Sequence, residues 1–424
     1  MSEPLIVLLG DDVAGTIERL PGGKLRFDYD EAYMSRSAAT PLSVSMPLQV
    51  RSHPDRVITP WLWGLLPDND AVLARWAREF QVSASSPFSL LSTPIGHDCA
   101  GAVRFVIPAE VDEALSRKGR VAWLSDDGVA QRLRELRHDS TAWLGRNFTG
   151  QFSLAGAQSK TALLQHSGRW GVPSGSMPTT HILKPAITGF DDHDLNEHLC
   201  LDAARRAGLL AVRTQVVRFG PESAVVVERY DRRPAGHTFR RVHQEDLCQT
   251  MSVPPSSKYQ SEGGPGPREI AGLLRRVLPP GVAYAAVWRF TDALIWNWLI
   301  AGTDAHAKNY SILLSGTDVR LAPLYDISSA LPYGAHEKKL RLAMKIGGDY
   351  GLSPSRSTWL RAASELRLAP EKLVDRVREL AELAPDAFSE AAKAPGVIGL
   401  HRALPAKLAD LVAERVSRCL RQIG

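Results

Sequence analysis

Residues 302–330, GTDAHAKNYSILLSGTDVRLAPLYDISSA, carry the organisation of the whole chain. YSILL and VRLAPLYD are two apolar runs either side of the turn-prone SGTD, which reads as a β-hairpin. Such a hairpin returns Asp326 to the neighbourhood of Asn309, where it began. Immediately upstream, residues 284–301 are apolar nearly all round, the pattern of a helix buried inside a lobe. A buried helix, a polar loop, a hairpin and a second aspartate form an ordered unit.

Within the loop, four residues separate Asp304 from Asn309. That is the spacing at which a phosphoryl-transfer loop sets a hydroxyl-orienting aspartate and a magnesium-binding asparagine around one phosphate. Magnesium takes hard oxygen ligands and keeps several waters, so Asn309 and Asp326 together with ATP phosphates suit it. His306 and Lys308, inside the same loop, are counted with the nucleotide-binding residues. Taken singly, Asp326 reads equally as the cap of the turn ISSA, Asn309 as a turn former and His306 as a structural histidine.

Working outward, residues 145–235 hold four strand-like runs, TALLQ, THILK, VRTQVVRF and SAVVVERYD, around one helix at 194–207 that Gly208 stops. Lys184 ends THILK, at a sheet edge from which an ammonium reaches phosphates. Glu197 on the helix is its candidate partner, with a solvated helix face as the alternative. Ser153-Leu-Ala-Gly-Ala-Gln-Ser-Lys160 is a small-residue loop lacking any standard phosphate-loop signature. Its Ala155, Gly156, Ala157, Gln158 and Lys160 nevertheless permit close backbone approach to phosphates. The backbone around Glu228 and Tyr230 is placed as an adenine-binding hinge.

The remaining sequence sets limits. A chain of 424 residues, 44% hydrophobic and 23% charged, is a globular protein of several lobes. The net charge of +5 is no footprint of an autonomous nucleic-acid binder. Four dispersed cysteines suggest neither a disulfide framework nor a zinc cluster. The N-terminal apolar run has no basic region before it and an acidic pair after it, against a signal peptide. The most apolar later stretch, 293–300, is too short to cross a bilayer. A cytoplasmic protein with no membrane partner is expected. Residues 1–50 read as strands, with helical spacing from Asp68, and a polar region at 117–127 closes an N-terminal segment. Helices dominate from 236, including 368–384 and 405–422, after a long Pro/Gly/Ser loop at 250–269.

FSLAGAQSKTALL, PTTHILKP, NEHLCL, VVERYDRR, HQEDLCQT, SSKYQSEGGPG, GTDAHAKNYS and LYDISSA, in this order, resemble the HipA toxin kinases, and GLLPDND with GHDCAGAVRF resembles that family's N-terminal domain. The resemblance implies an α+β, kinase-like two-lobed fold preceded by a small α/β domain. It divides the chain into an N-terminal domain at 1–110, a strand-rich ATP-binding lobe at 145–235 and a helical catalytic lobe at 236–424. It implies ATP and Mg2+ as cofactors, Asp304 as catalytic base, Asn309 and Asp326 as metal ligands, Lys184 as the phosphate-binding lysine, and Glu228 and Tyr230 in the adenine pocket. It also makes Ser153 the autophosphorylation site. Ser159 stands where the family commonly has a glutamate and reads as a plain spacer, with a second phospho-acceptor as the alternative. The implied partners are a protein substrate, in well-known members an aminoacyl-tRNA synthetase, and a HipB-like helix-turn-helix antitoxin dimer that brings the kinase to DNA indirectly.

Two other classes remain at this stage. One is a small-molecule or lipid kinase on the same scaffold. The other is a DNA-associated co-repressor subunit using Arg229, Arg232, Arg233, Arg240 and Arg241, which read more simply as lining a solvated loop or a partner surface.

Overall fold

The structure is a computed structural model that describes residues 3–116, 119–145, 150–187, 189–236, 238–334 and 337–424. Residues 117 and 118 of the polar region lie outside the described residues. The chain forms two compact units, one of residues 1–185, 218–256 and 311–319, the other of 186–217, 257–310 and 320–424.

In the first unit the alternating runs near the N-terminus become an antiparallel sheet. Its spatial order is Ser52–Pro54, Leu25–Tyr29, Asp12–Arg19, Leu5–Leu9, Val103–Val106. Leu5, Val7, Ile17, Phe27 and Phe105 are fully buried, as are Ile58, Trp61, Leu62 and Leu65 of helix Asp55–Leu65. Each such side chain contributes roughly 1.5–3 kcal/mol by leaving water. Helix Asp70–Glu79 buries Val72, Leu73, Trp76 and Ala77, the spacing the sequence shows, and Asn69 caps it by accepting from the Ala71 and Val72 amides.

A second sheet has the order Thr214–Phe219, Glu222–Glu228, His181–Pro185, Thr161–His166, Arg169–Gly175, Gly119–Leu124. Four of these strands are the four expected runs. Arg169–Gly175 and Gly119–Leu124 were not expected. The first is turned back through Ser167 and Gly168, both at positive φ (50° and 75°), the geometry of a tight two-residue hairpin loop. His243–Asp246 pairs with Ser311–Ser315, and Asp318–Leu321 completes the hairpin read from YSILL and VRL.

One expectation fails in this unit. Arg229, Arg232 and Arg241 do not line a solvated loop: they are buried around Asp98 and Asp231. Asp98 accepts from the Thr179 amide (3.0 Å) and hydroxyl (2.7 Å), from Arg232 (2.9 Å) and from Arg241 (3.1 Å). Burial opposes its charge, but the three guanidiniums outweigh burial and hold the carboxyl far below the usual range. Arg233 and Arg240 are exposed.

The second unit is helical: His193–Arg206, Pro267–Val277, Pro280–Leu299, Arg356–Leu366, Pro370–Ala392 and Leu404–Ile423. Helix Pro280–Leu299 is buried as its sequence requires, with Trp296 stacked on Phe388 (5.8 Å) and Trp298 edge-on to Trp359 (5.1 Å). The helix expected at 368–384 runs on through Pro385 to Ala392, because Ala387, Phe388 and Ala391 continue its buried face. That burial outweighs the hydrogen bond that proline removes.

Candidate active site

The loop of residues 302–310 begins where helix Pro280–Leu299 runs out. The last carbonyls of a helix need partners from outside it, and here each finds one. Arg415, a buried guanidinium on Leu404–Ile423, donates to Trp298 O (2.7 Å) and Leu299 O (3.0 Å). The Ser329 hydroxyl donates to Ile300 O (2.6 Å), and the Ala330 amide to Ala301 O (3.1 Å). Ala301 turns the chain through φ 52°, and Gly302 follows where a Cβ would lie 2.4 Å from Asn297 Oδ1.

Residues 304, 309 and 326 converge through one side chain. The Asn309 amide nitrogen donates to Asp304 O and Asp326 O, both at 3.2 Å. Two carbonyls can only accept, so this network fixes which end of the amide faces them. The Oδ1 atom must point the other way, as an acceptor suited to a hard cation. Asp326 takes φ 57°, an uncommon left-handed backbone for a residue with a Cβ. Three His, Cys, Asp or Glu groups do not cluster as a metal site among the described residues. The Asp326 carboxylate and the Asn309 amide oxygen nonetheless fit magnesium, which takes a few protein oxygens and completes its shell with phosphates and water.

Asp304 is exposed. One of its oxygens accepts from Tyr259 Oη at 2.5 Å. The other has no protein hydrogen bond among the described residues. The Tyr259 ring also meets His306 edge-on at 4.9 Å, and His306 is buried. Lys308 is buried, with its carbonyl accepting from Tyr325 Oη at 2.7 Å. Asn196 braces the segment after Asp326, donating to Ser329 O (2.8 Å) and accepting from the Ser329 amide (3.0 Å). Its neighbour Glu197 is 1% exposed, which excludes the solvated-face alternative.

The other expected residues belong to the first unit. Lys184 is buried on strand His181–Pro185, in register with Val225. Glu228 ends its strand exposed, and Tyr230 hydrogen-bonds Gln244. In the 153–160 loop, Lys160 donates to Ala155 O at 2.5 Å and lies 4.9 Å from the Trp143 ring centre. Gly156 has φ 102°, Gln158 is half-buried, and Ser159 donates to Ser140 O (3.0 Å). Ser153 is completely buried, its hydroxyl on Leu65 O at 2.8 Å.

Tyr259, Asn196 and Arg415 were not singled out from sequence. Tyr259 lies in the long Pro/Gly/Ser loop of residues 250–269 and Asn196 in the NEHLCL run. Arg415 gives no signal, being one of several arginines in an amphipathic helix.

A mixed α+β chain whose buried helix feeds an Asp-x4-Asn loop, followed by a hairpin and a second aspartate, has the arrangement of a phosphotransferase of the kinase class. The HipA-like C-terminal domain family matches residues 152–388, and the HipA N-terminal domain family matches residues 5–106. A putative kinase, Y4mE of Sinorhizobium fredii, is 32% identical over 93% of both chains. The serine/threonine-protein kinase toxin HipA of Shewanella oneidensis is 28% identical over 91% of this chain and 88% of that one. A solved structure of the Shewanella oneidensis toxin–antitoxin complex of HipA, HipB and operator DNA matches with a TM-score of 0.83 at 24% identity, covering 98% of this chain and 97% of that one. The chain belongs to the HipA family of serine/threonine-protein kinases. No helix among the described residues is long and apolar enough to cross a membrane.

Proposed function

We propose that this kinase uses ATP and magnesium to phosphorylate protein serine or threonine, and that it is the toxin of a toxin–antitoxin pair. The observation that carries the reading is the Asn309 amide bridging the backbones of Asp304 and Asp326. Asn309 Oδ1 and the Asp326 carboxylate would hold the metal, which would supply charge neutralisation and orientation of the γ-phosphoryl group. The free oxygen of Asp304 accepts the acceptor hydroxyl's proton as that oxygen bonds to the γ-phosphorus and the bond to ADP breaks. Tyr259 holds the carboxylate in the orientation this transfer needs. Lys184 and the 153–160 loop serve the phosphates, and Glu228 and Tyr230 the adenine.

Ser153 is the autophosphorylation site in this reading. Its burial against Leu65 means that the loop must leave its seat before the hydroxyl reaches a catalytic aspartate. A phosphate of nearly two negative charges has no place in that seat afterwards, so modification switches the enzyme off. The solved relative in complex with HipB and operator DNA supports a HipB-like antitoxin and, through it, DNA as partners. An aminoacyl-tRNA synthetase is the proposed cellular substrate.

The test is transfer from labelled ATP to a synthetase panel and to the chain itself, with and without magnesium. Labelling that persists in Asp304→Asn, or phosphate found only on a small molecule, overturns the assignment.

A further inference from the structure

The three consecutive carbonyls at the centre of the 153–160 loop are all engaged by donors of the protein. Lys160 Nζ donates to Ala155 O (2.5 Å), the Asp68 amide to Gly156 O (3.1 Å), and Asn69 Nδ2 to Ala157 O (3.4 Å). Pro67 and Gly156 form a parallel β-bridge, and Ser153 Oγ donates to Leu65 O (2.8 Å). The turn of residues 65–69 thus runs beside the loop along most of its length. A backbone that receives phosphates must keep its carbonyl oxygens off the anion, since their dipoles repel it.

We propose that the turn at residues 65–69, in the segment matching the HipA N-terminal domain, is a positioning element for the nucleotide's phosphates, with Asn69 its key side chain. The proposal rests on the reading of residues 153–160 as a phosphate-binding loop. Asn69 does two jobs with two ends of one amide: Oδ1 caps helix Asp70–Glu79, while Nδ2 restrains Ala157. Lys160 belongs to the same device. Its ammonium supports the loop from inside, against Ala155 O and the Trp143 ring, as a strut. The N-terminal segment is then part of the machinery that shapes the ATP site.

The two ends of the amide make the test selective. Asn69→Asp and Asn69→Ser both keep an oxygen that caps the helix. Neither retains an N–H reaching Ala157, and the serine variant adds no charge that repels ATP directly. In the full chain, amide hydrogen exchange across residues 153–160 should quicken about fivefold in both variants, the worth of one hydrogen bond. Exchange across 70–79 stays unchanged, and KM for ATP rises by a similar factor while kcat falls less. Unaltered loop exchange and KM overturn the proposal, as does faster exchange in 70–79 alone. A loop that loosens in both variants of a chain that binds no ATP leaves the turn as its support and overturns the nucleotide reading instead.

Discussion

Glu245 provides a pH-dependent test of how the N-terminal segment is joined to the strand His243–Asp246. Its carboxyl accepts from the Val44 amide (2.8 Å) and Trp61 Nε1 (3.1 Å), and it is completely buried. Burial pushes its pKa up from an ordinary 4.5 to about 7. The folded state therefore holds this proton more tightly than the unfolded chain does. Its stabilising contribution is complete below pH 4.5, declines as pH rises, and is gone once pH passes about 7. At ~1.36 kcal/mol per pH unit the gap is worth about 3 kcal/mol. His181 and His243, pushed down to about 4 by burial, act in the opposite sense, gaining stability from about pH 4 to their ordinary 6.5. The difference between wild type and Glu245→Gln removes their contribution. The glutamine amide meets donors on both sides and costs about 1–2 kcal/mol at every pH. Denaturant unfolding at pH 5 should find wild type the more stable, and at pH 8 the variant, the difference swinging by about 3 kcal/mol. Two stability curves that stay parallel from pH 5 to 8 would refute the reasoning.

Asp304→Asn should lower phosphoryl transfer by roughly 10²–10⁴ with ATP affinity retained, by single-turnover labelling against equilibrium nucleotide binding. Asn309→Asp places a carboxylate against Asp304 O and Asp326 O, so it should abolish transfer and shift the magnesium requirement upward even though it adds a negative charge. Asp98→Ala leaves Arg229, Arg232 and Arg241 facing Asp231 alone and should cost about 3–5 kcal/mol of stability, seen as a lowered unfolding midpoint. Ser153→Ala should go on binding ATP after long incubation with it, while wild type loses binding as phosphate accumulates on Ser153 by mass spectrometry.

Much of this was legible because chemistry and periodicity coincided. The Asp304 loop, the hairpin after it and the helix of residues 280–299 are contiguous in sequence, so spacing alone assembles them. The strands Arg169–Gly175 and Gly119–Leu124 were missed because WGVPSG carries the glycine and proline of a turn and GRVAWL sits in a polar stretch. Gly119–Leu124 owes its strand identity to pairing with the distant Arg169–Gly175, which itself folds back on Thr161–His166 through a tight turn. The buried arginines were misjudged for a related reason. Arginine in isolation is a surface residue, and only the fold brings Asp98, 131 residues before Arg229, to neutralise it. Tyr259 and Arg415 likewise reach the loop of residues 302–310 and the helix before it from 45 and 117 residues away.

Arg415 reaches back 117 residues to hold Trp298 O, at the end of the helix from which the catalytic loop springs. On the ribosome the loop emerges long before its buttress does. A nascent chain already displaying Asp304 and Asn309 still ends in a helix with loose carbonyls, so competence arrives late in synthesis.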